Sequence, residues 1–574
     1  MNNRCFPWRT MPLLLGLMLA ACGGGGGGAA PPAPTPESLT LTLSGTAATG
    51  AAIASAPVEV RCDRGTGSAT SRADGGFDVS VSSGRLPCVL RVTTAGGAVL
   101  HSVAVGTGAS ARANISPLTD LAVAHLAGAA PSTLWDNLVV DRLTPTRVDQ
   151  AVSSVLATVA GAGINTAAIG NPFTAALVPP SGTTPGNAYD QALDALQAAL
   201  DSAGATLTEL RERVIASAPG ALPSPSIGVP SLPPDLLLAA RASNCNSLRT
   251  GRYRILFAAP SGQIGQHFVV EGRIDAAALT FDDDDPAEPL TNLVPAGNCR
   301  YNVPSGQLVM GPAGVGLVRS VEDGVARLGL VIPVQSHALS DLAGTWNAIA
   351  LYPEGGLMAA SRGNFSLAAD GRFTALEWCE PFDACQVDTP EERALVILSA
   401  RADGGFNIRD TRDGPTDRMY GFRSGGGALV VIGINENGEL LFLNRRNPIS
   451  MPAVGRVTEN WGLDLTGALQ AAANITDSRN TVLSVDTTST PQTFQRSRVI
   501  NFGTGATVTE AMAINSPDTG YLNRRPATGV TASDGSTVNV SEFTGLSLTG
   551  TGLFPLWLPG LNRASVSLNI PAAP

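Results

Sequence analysis

From Asn244 to the end, the chain repeats one arrangement. Apolar and polar residues alternate, an Asp-Gly or Asn-Gly pair follows, and alternation resumes. Asp323-Gly324, Asp370-Gly371, Asp403-Gly404, Asn437-Gly438 and Asp534-Gly535 each sit between candidate strands. A period of two with a tight reversal is the pattern of antiparallel hairpins. Type I′ turns, which need positive φ at both central residues, are predicted at these pairs. Such a chain is confined to antiparallel sheets or up-and-down barrels over this half. AADGRF at 368–373 and RADGGF at 401–406 echo RADGGF at 72–77; we read this as shared turn chemistry, not as duplicated domains.

The rest of the chain differs in texture. LTLTLSG, VEVRC, GGFDVSV and CVLRVTT alternate as strands between Leu39 and Ile115, and Asp74-Gly75 reads as a hairpin. Ser116-Pro117 then opens a helical stretch as cap and first-turn proline. Leu193, Leu196 and Leu200 line one face of a predicted helix that Gly204 stops. Residues 218–234 are proline-rich and read as a linker. With 574 residues the chain exceeds one core. The predicted fold is multi-domain and mainly β: a leader (1–21), a Gly/Pro-rich tether (22–38), a β-sandwich (39–115), a helical segment (116–217), a linker (218–242), and β domains at 243–338, 339–455 and 456–574. A barrel is one reading of 339–455; a generic antiparallel sheet is the other.

The N-terminus carries Arg4 and Arg9, then the apolar run Met11 to Ala20, then Leu19-Ala20-Ala21-Cys22. That order resembles a bacterial lipoprotein signal, whose cysteine is lipidated and becomes the first mature residue. Gly23 rather than Asp follows, so the resemblance implies an outer-membrane destination with Cys22 as the lipid attachment. The membrane is then a partner through this anchor. Beyond the leader no run of about eighteen apolar residues marks a spanning helix.

Two further resemblances concern fold. The strand order of residues 39–115 is similar to carboxypeptidase-regulatory-like, or transthyretin-like, β-sandwiches, which implies a structural or binding module. LRTGRYRI (248–255) and DLAGTWNAI (341–349) both place Gly-x-aromatic at a strand start after a leucine. The second resembles the Gly-x-Trp opening strand of lipocalin-type barrels, with Gly344 and Trp346 as the matching residues. In that family the Trp packs across the closed end, an arginine covers it, and the open end binds apolar ligands. No covering arginine is identifiable from local spacing. Trp461 in ENWGLDLTG is read as opening a third β section.

Of the eight cysteines, Cys5 lies in the leader and Cys22 at the lipid site. The remaining six fall two to a region, as an exported protein's disulfides would. The predicted pairs are Cys62–Cys88, Cys245–Cys299 and Cys379–Cys385. Zinc binding is disfavoured because no CxxC spacing exists and no histidine lies nearby. All 37 basic residues are arginine, which removes Schiff-base and P-loop lysine chemistry. A net charge of −10 with dispersed arginines disfavours nucleic acid. His101, His125, His267 and His337 have no metal spacing, and no GxSxG elbow occurs. Asp282, Asp283, Asp284 and Asp285 form the one candidate calcium cluster, without EF-hand spacing. The acidic stretch 380–392 around Cys385 is a stabilised turn or a recognition loop. No motif calls for a cofactor.

These features together point to a lipid-anchored envelope protein with a non-catalytic binding role toward an envelope protein or glycan. A lipocalin-like carrier and an envelope hydrolase with an unrecognised site are the alternatives.

Overall fold

A computed structural model describes residues 40–219, 229–258, 269–322, 324–380, 382–412 and 416–570. The leader, Cys22, the tether, His267, Asp323 and Pro381 lie outside them.

Leu41, Leu43, Val58, Val60, Phe77, Val79 and Val81 alternate with polar neighbours, and all are buried between two sheets. One sheet has three strands, Gly76–Ser82, Thr40–Thr46 and Ser110–Arg112; the other has four, Thr66–Thr70, Pro57–Arg64, Arg85–Thr93 and Val99–Ala104. Cys62 and Cys88 are register partners in the second sheet and are disulfide-bonded. The Asp74-Gly75 turn is not a hairpin. It closes Arg72 onto Gly76, but the strands it joins belong to opposite sheets. Local turn chemistry bends the chain the same way in both cases, so sequence alone could not separate them.

Helix Pro117–Ala127 starts at a Ser116–Thr119 capping box, and helix Ala188–Ala203 ends at Gly204 with φ +62°. With Pro145–Gly161 and Leu207–Ser217 they bury Leu193, Leu196 and Leu200 in a common core. Asp120 ties helices to sandwich: it accepts the His101 backbone N–H at 3.0 Å, faces His101 Nδ1 at 2.9 Å and meets Arg211 Nη2 at 2.7 Å. The predicted linker departs from expectation at its C-terminal end. Pro234–Leu238 is a helix whose three leucines pack on the other helices, because three adjacent leucines bury more apolar surface than a tether could leave exposed.

Three meanders follow, over residues 251–333, 344–445 and 457–570, and in each the first strand pairs with the last. The first two share one nine-strand order, open between the fourth and fifth strands. Their opening strands, Gly251–Phe257 and Gly344–Glu354, begin at the two Gly-x-aromatic motifs. The third, opened by Val457–Leu465 with Trp461, is a closed eight-stranded barrel. Each meander has its own interior core. Their outer faces also meet in one larger core, where Leu256, Leu330, Ile349, Phe442, Leu463 and Val566 lie together. Strands at that junction are buried on both faces, as in Leu429–Ile434, where all six residues are buried.

Where both residues are described, the Asp/Asn-Gly turns are not type I′. Gly75, Gly371, Gly404, Gly438 and Gly535 have φ between +74° and +85°, while the residue before each does not. Asp74, Asp370, Asp403 and Asp534 each accept the backbone N–H two residues on. This is a type I turn followed by a left-handed glycine, and the carboxylate's own hydrogen bond favours it over a second positive φ.

Candidate functional site

The middle meander encloses a cavity of about 810 Å³. Strand pleating decides what lines it. On Gly344–Glu354 the side chains of Trp346, Ala350 and Tyr352 face inward, while Ile349 and Leu351 face the shared core. Register places Trp346 beside Phe365, and Phe365 beside Leu376. Met419, Val431 and Leu443 complete this apolar end.

Trp346 is fully buried and closes that end. Its Nε1 donates to the Leu342 carbonyl at 2.8 Å. The Arg445 guanidinium lies 4.0 Å from the ring centroid and donates to the carbonyls of Ala343 and Asp341, each at 2.6 Å. Burial holds the Arg445 pKa down, at about 10, with the Arg423 charge adding to the effect. Gly344 has φ +124°, and a Cβ there would fall 2.6 Å from Arg445 Nη1. Glycine is therefore needed both for the backbone and for the arginine. Sequence reading placed Gly344 and Trp346 but missed Arg445. It sits at the end of the last strand, Leu440–Arg445, directly opposite Trp346 in register.

The other end is acidic. Glu380, Asp388, Asp410, Asp417 and Glu439 line it, with Arg412 as the one basic residue there. Arg412 is committed to Asp410, donating from Nε at 2.9 Å, and this holds the Asp410 pKa below its ordinary value. Tyr352 donates to Glu380 at 2.7 Å. Burial, reinforced by the charges of Glu439 and Glu436, lifts Asp417 to about 7. Burial also raises Glu439 and Asp388. Glu380 and Asp388 belong to the acidic stretch after Cys379, so the hairpin closed by Cys379–Cys385 helps form this mouth.

The other candidate residues lie apart from this cavity. Cys299 of the first meander is disulfide-bonded to Cys245, on the short strand that precedes the meander. Among the described residues, the group of possible metal ligands close enough to share an ion is Glu377, Cys379 and Cys385, and its two cysteines form a disulfide rather than thiolates. The carboxylates of Asp282, Asp283, Asp284 and Asp285 do not converge: Asp284 pairs with Arg252, and Asp283 and Asp285 accept backbone N–H groups in their own loop. Burial lowers the pKa of His125, and burial and then the Arg423 charge lower that of His337 to about 4. No helix among the described residues is long and apolar enough to cross a membrane.

No protein-family model matches the chain, and no curated protein does. Among solved structures, the chain is similar to the isotype 1 transferrin binding protein B from serogroup B Neisseria meningitidis. Identity is 9% and the TM-score 0.16, over 52% of this chain and 57% of that chain. The match thus spans less than two thirds of that protein's length.

Proposed function

We propose that this chain is a non-catalytic binding protein of the cell envelope, with the middle meander as the compartment that holds its ligand. The supporting observation is the cavity of about 810 Å³, closed at one end by Trp346 under Arg445. Its volume lies in the range of small-molecule sites, and its walls combine an apolar body with a few placed polar groups. A ligand suited to it has an apolar portion for the Trp346 end and a neutral or cationic end for the carboxylates. The anchor belongs to the same reading: Cys22, lipidated, would hold the body near a membrane through the glycine and proline tether. The sandwich of residues 40–112, read as resembling carboxypeptidase-regulatory-like modules, would serve as a structural module or as a contact for an envelope protein or glycan.

The test is titration with a neutral lipophilic fluorophore, N-phenyl-1-naphthylamine, followed by its emission. Saturable enhancement with one site per chain is expected. Ala350→Trp, which fills the cavity from its wall, should abolish it while the melting temperature holds. Equal enhancement in both proteins would reject the middle compartment.

A further inference from the structure

The closed barrel of residues 457–570 has its own cavity, of about 430 Å³, with a different charge. Along strand Thr493–Asn501 the alternating side chains of Phe494, Arg496 and Arg498 face inward, and Arg524 joins them from Tyr521–Arg524. Glu510, whose side chain is 0% exposed, meets all three guanidiniums. It accepts from Arg496 Nε at 3.0 Å and Nη2 at 2.9 Å, from Arg498 Nε at 2.5 Å and from Arg524 Nη1 at 2.9 Å. Burial pulls the Glu510 pKa upward, but the three arginines outweigh it and keep the group ionised.

One carboxylate cannot balance three guanidiniums. Arg456 and Arg563, at the rim, are exposed to solvent, and Asp464 is the one acidic residue among the described lining, so the buried imbalance is that of Arg496 and Arg524 with the partly buried Arg498 against Glu510. An excess of positive charge inside a barrel is costly unless a counter-charge joins it. The donors for that counter-charge are in place. Arg498 gives only its Nε to Glu510, so its two Nη groups have no partner among the described residues. Asn480, the cross-strand partner of Arg498, is 6% exposed, lines the cavity and has its side-chain oxygen unpartnered. Its amide can turn to donate. An apolar patch adjoins the arginines: Phe494 shares their strand, the Phe543 ring lies 4.6 Å from the Arg524 guanidinium, and Phe554 packs edge-on against Phe543.

We propose that the closed barrel is a second binding site, for a small molecule carrying an oxyanion on an apolar body. The oxyanion sits on the free fork of Arg498 with Arg496 and Asn480, and the body lies against the three phenylalanines. A planar guanidinium matches a carboxylate through two parallel hydrogen bonds. This site differs from the middle compartment in the sign of its charge, so the two would not compete for one ligand.

Calorimetric titration of the full chain carrying Ala350→Trp, which closes the middle compartment to the neutral alcohol, with dodecanoate and with dodecan-1-ol, both below their aggregation limits, tests this. Dodecanoate should bind about tenfold or more tightly than the alcohol, the gain expected of one charge-assisted pair. Arg498→Gln should erase that preference while Arg496 and Arg524 still neutralise Glu510 and the melting temperature holds. Equal affinity for acid and alcohol with the middle compartment filled, or an unchanged preference when Arg498→Gln is added, would overturn the proposal. Should the Arg498→Gln variant fail to fold, the comparison of acid with alcohol in the Ala350→Trp chain decides.

Discussion

Trp346 and Arg445 show how one buried pair organises a site. The ring supplies apolar area and the guanidinium caps it, while three carbonyls from residues 341–343 absorb the arginine's donors. Arg445→Ala would uncover the ring and take the arginine's donors from the Asp341 and Ala343 carbonyls, while the Leu342 carbonyl keeps the Trp346 indole N–H. A loss of about 2–4 kcal/mol in urea unfolding is expected. Asp417 gives a pH signature. Its folded value of about 7 lies above the ordinary 3.8, so the folded chain holds a proton that the unfolded chain releases. Its burial therefore costs nothing below pH 3.8, costs progressively more up to about 7, and keeps its full cost above that. Asp417→Asn removes the cost. The variant should gain about 1–2 kcal/mol over the parent at pH 8, allowing for solvent in the cavity, and nothing at pH 3.5. Melting curves at both values check it; a gain at pH 3.5 as large as at pH 8 would refute the assignment. Trp346 was legible because its motif is local. Arg445 was not, because the partner it covers is about a hundred residues away and only strand register joins them.

At the level of elements, the turns were legible in position but not in type. An Asp-Gly pair announces a reversal, yet the aspartate's hydrogen bond to the second N–H onward selects the type I geometry. Gly535 isolates the backbone term, since it has φ +83° and a Cβ there would meet nothing within 4 Å. Gly535→Ala should cost about 1 kcal/mol by thermal unfolding, and Gly560→Ala, equally open and without positive φ, should cost much less. The disulfides were legible from proximity: Cys62 faces Cys88, and Cys379 faces Cys385, across adjacent strands. The inward arginines were not. Arg496 and Arg498 alternate as solvent-facing residues would, and nothing local says that the barrel closes around them.

Across the whole molecule, the three meanders share one core on their outer faces. Tyr521, in the closed barrel, donates to the Ala348 carbonyl of the middle meander at 2.6 Å, and Asn347 donates to the Thr519 carbonyl at 2.7 Å. The meanders should therefore unfold together. Tyr521→Phe should cost about 1–2 kcal/mol and leave transitions by tryptophan emission and by far-ultraviolet circular dichroism coincident. Separate transitions in the unmodified chain would show independent meanders. Sequence alternation identified the strands but could not reveal this junction, because a run such as LVVIGI fits a two-sided core and a helix equally well. The proposed anchor is tested separately: Cys22→Ala should move the protein from the membrane fraction to the soluble one.

The central claim is that the middle meander carries a ligand. Native mass spectrometry on the protein extracted gently from its own membrane tests it most directly. A reproducible added mass beyond the lipid on Cys22, present in the unmodified chain and absent from Ala350→Trp, is expected. The same added mass in both proteins, or none in either, would contradict it.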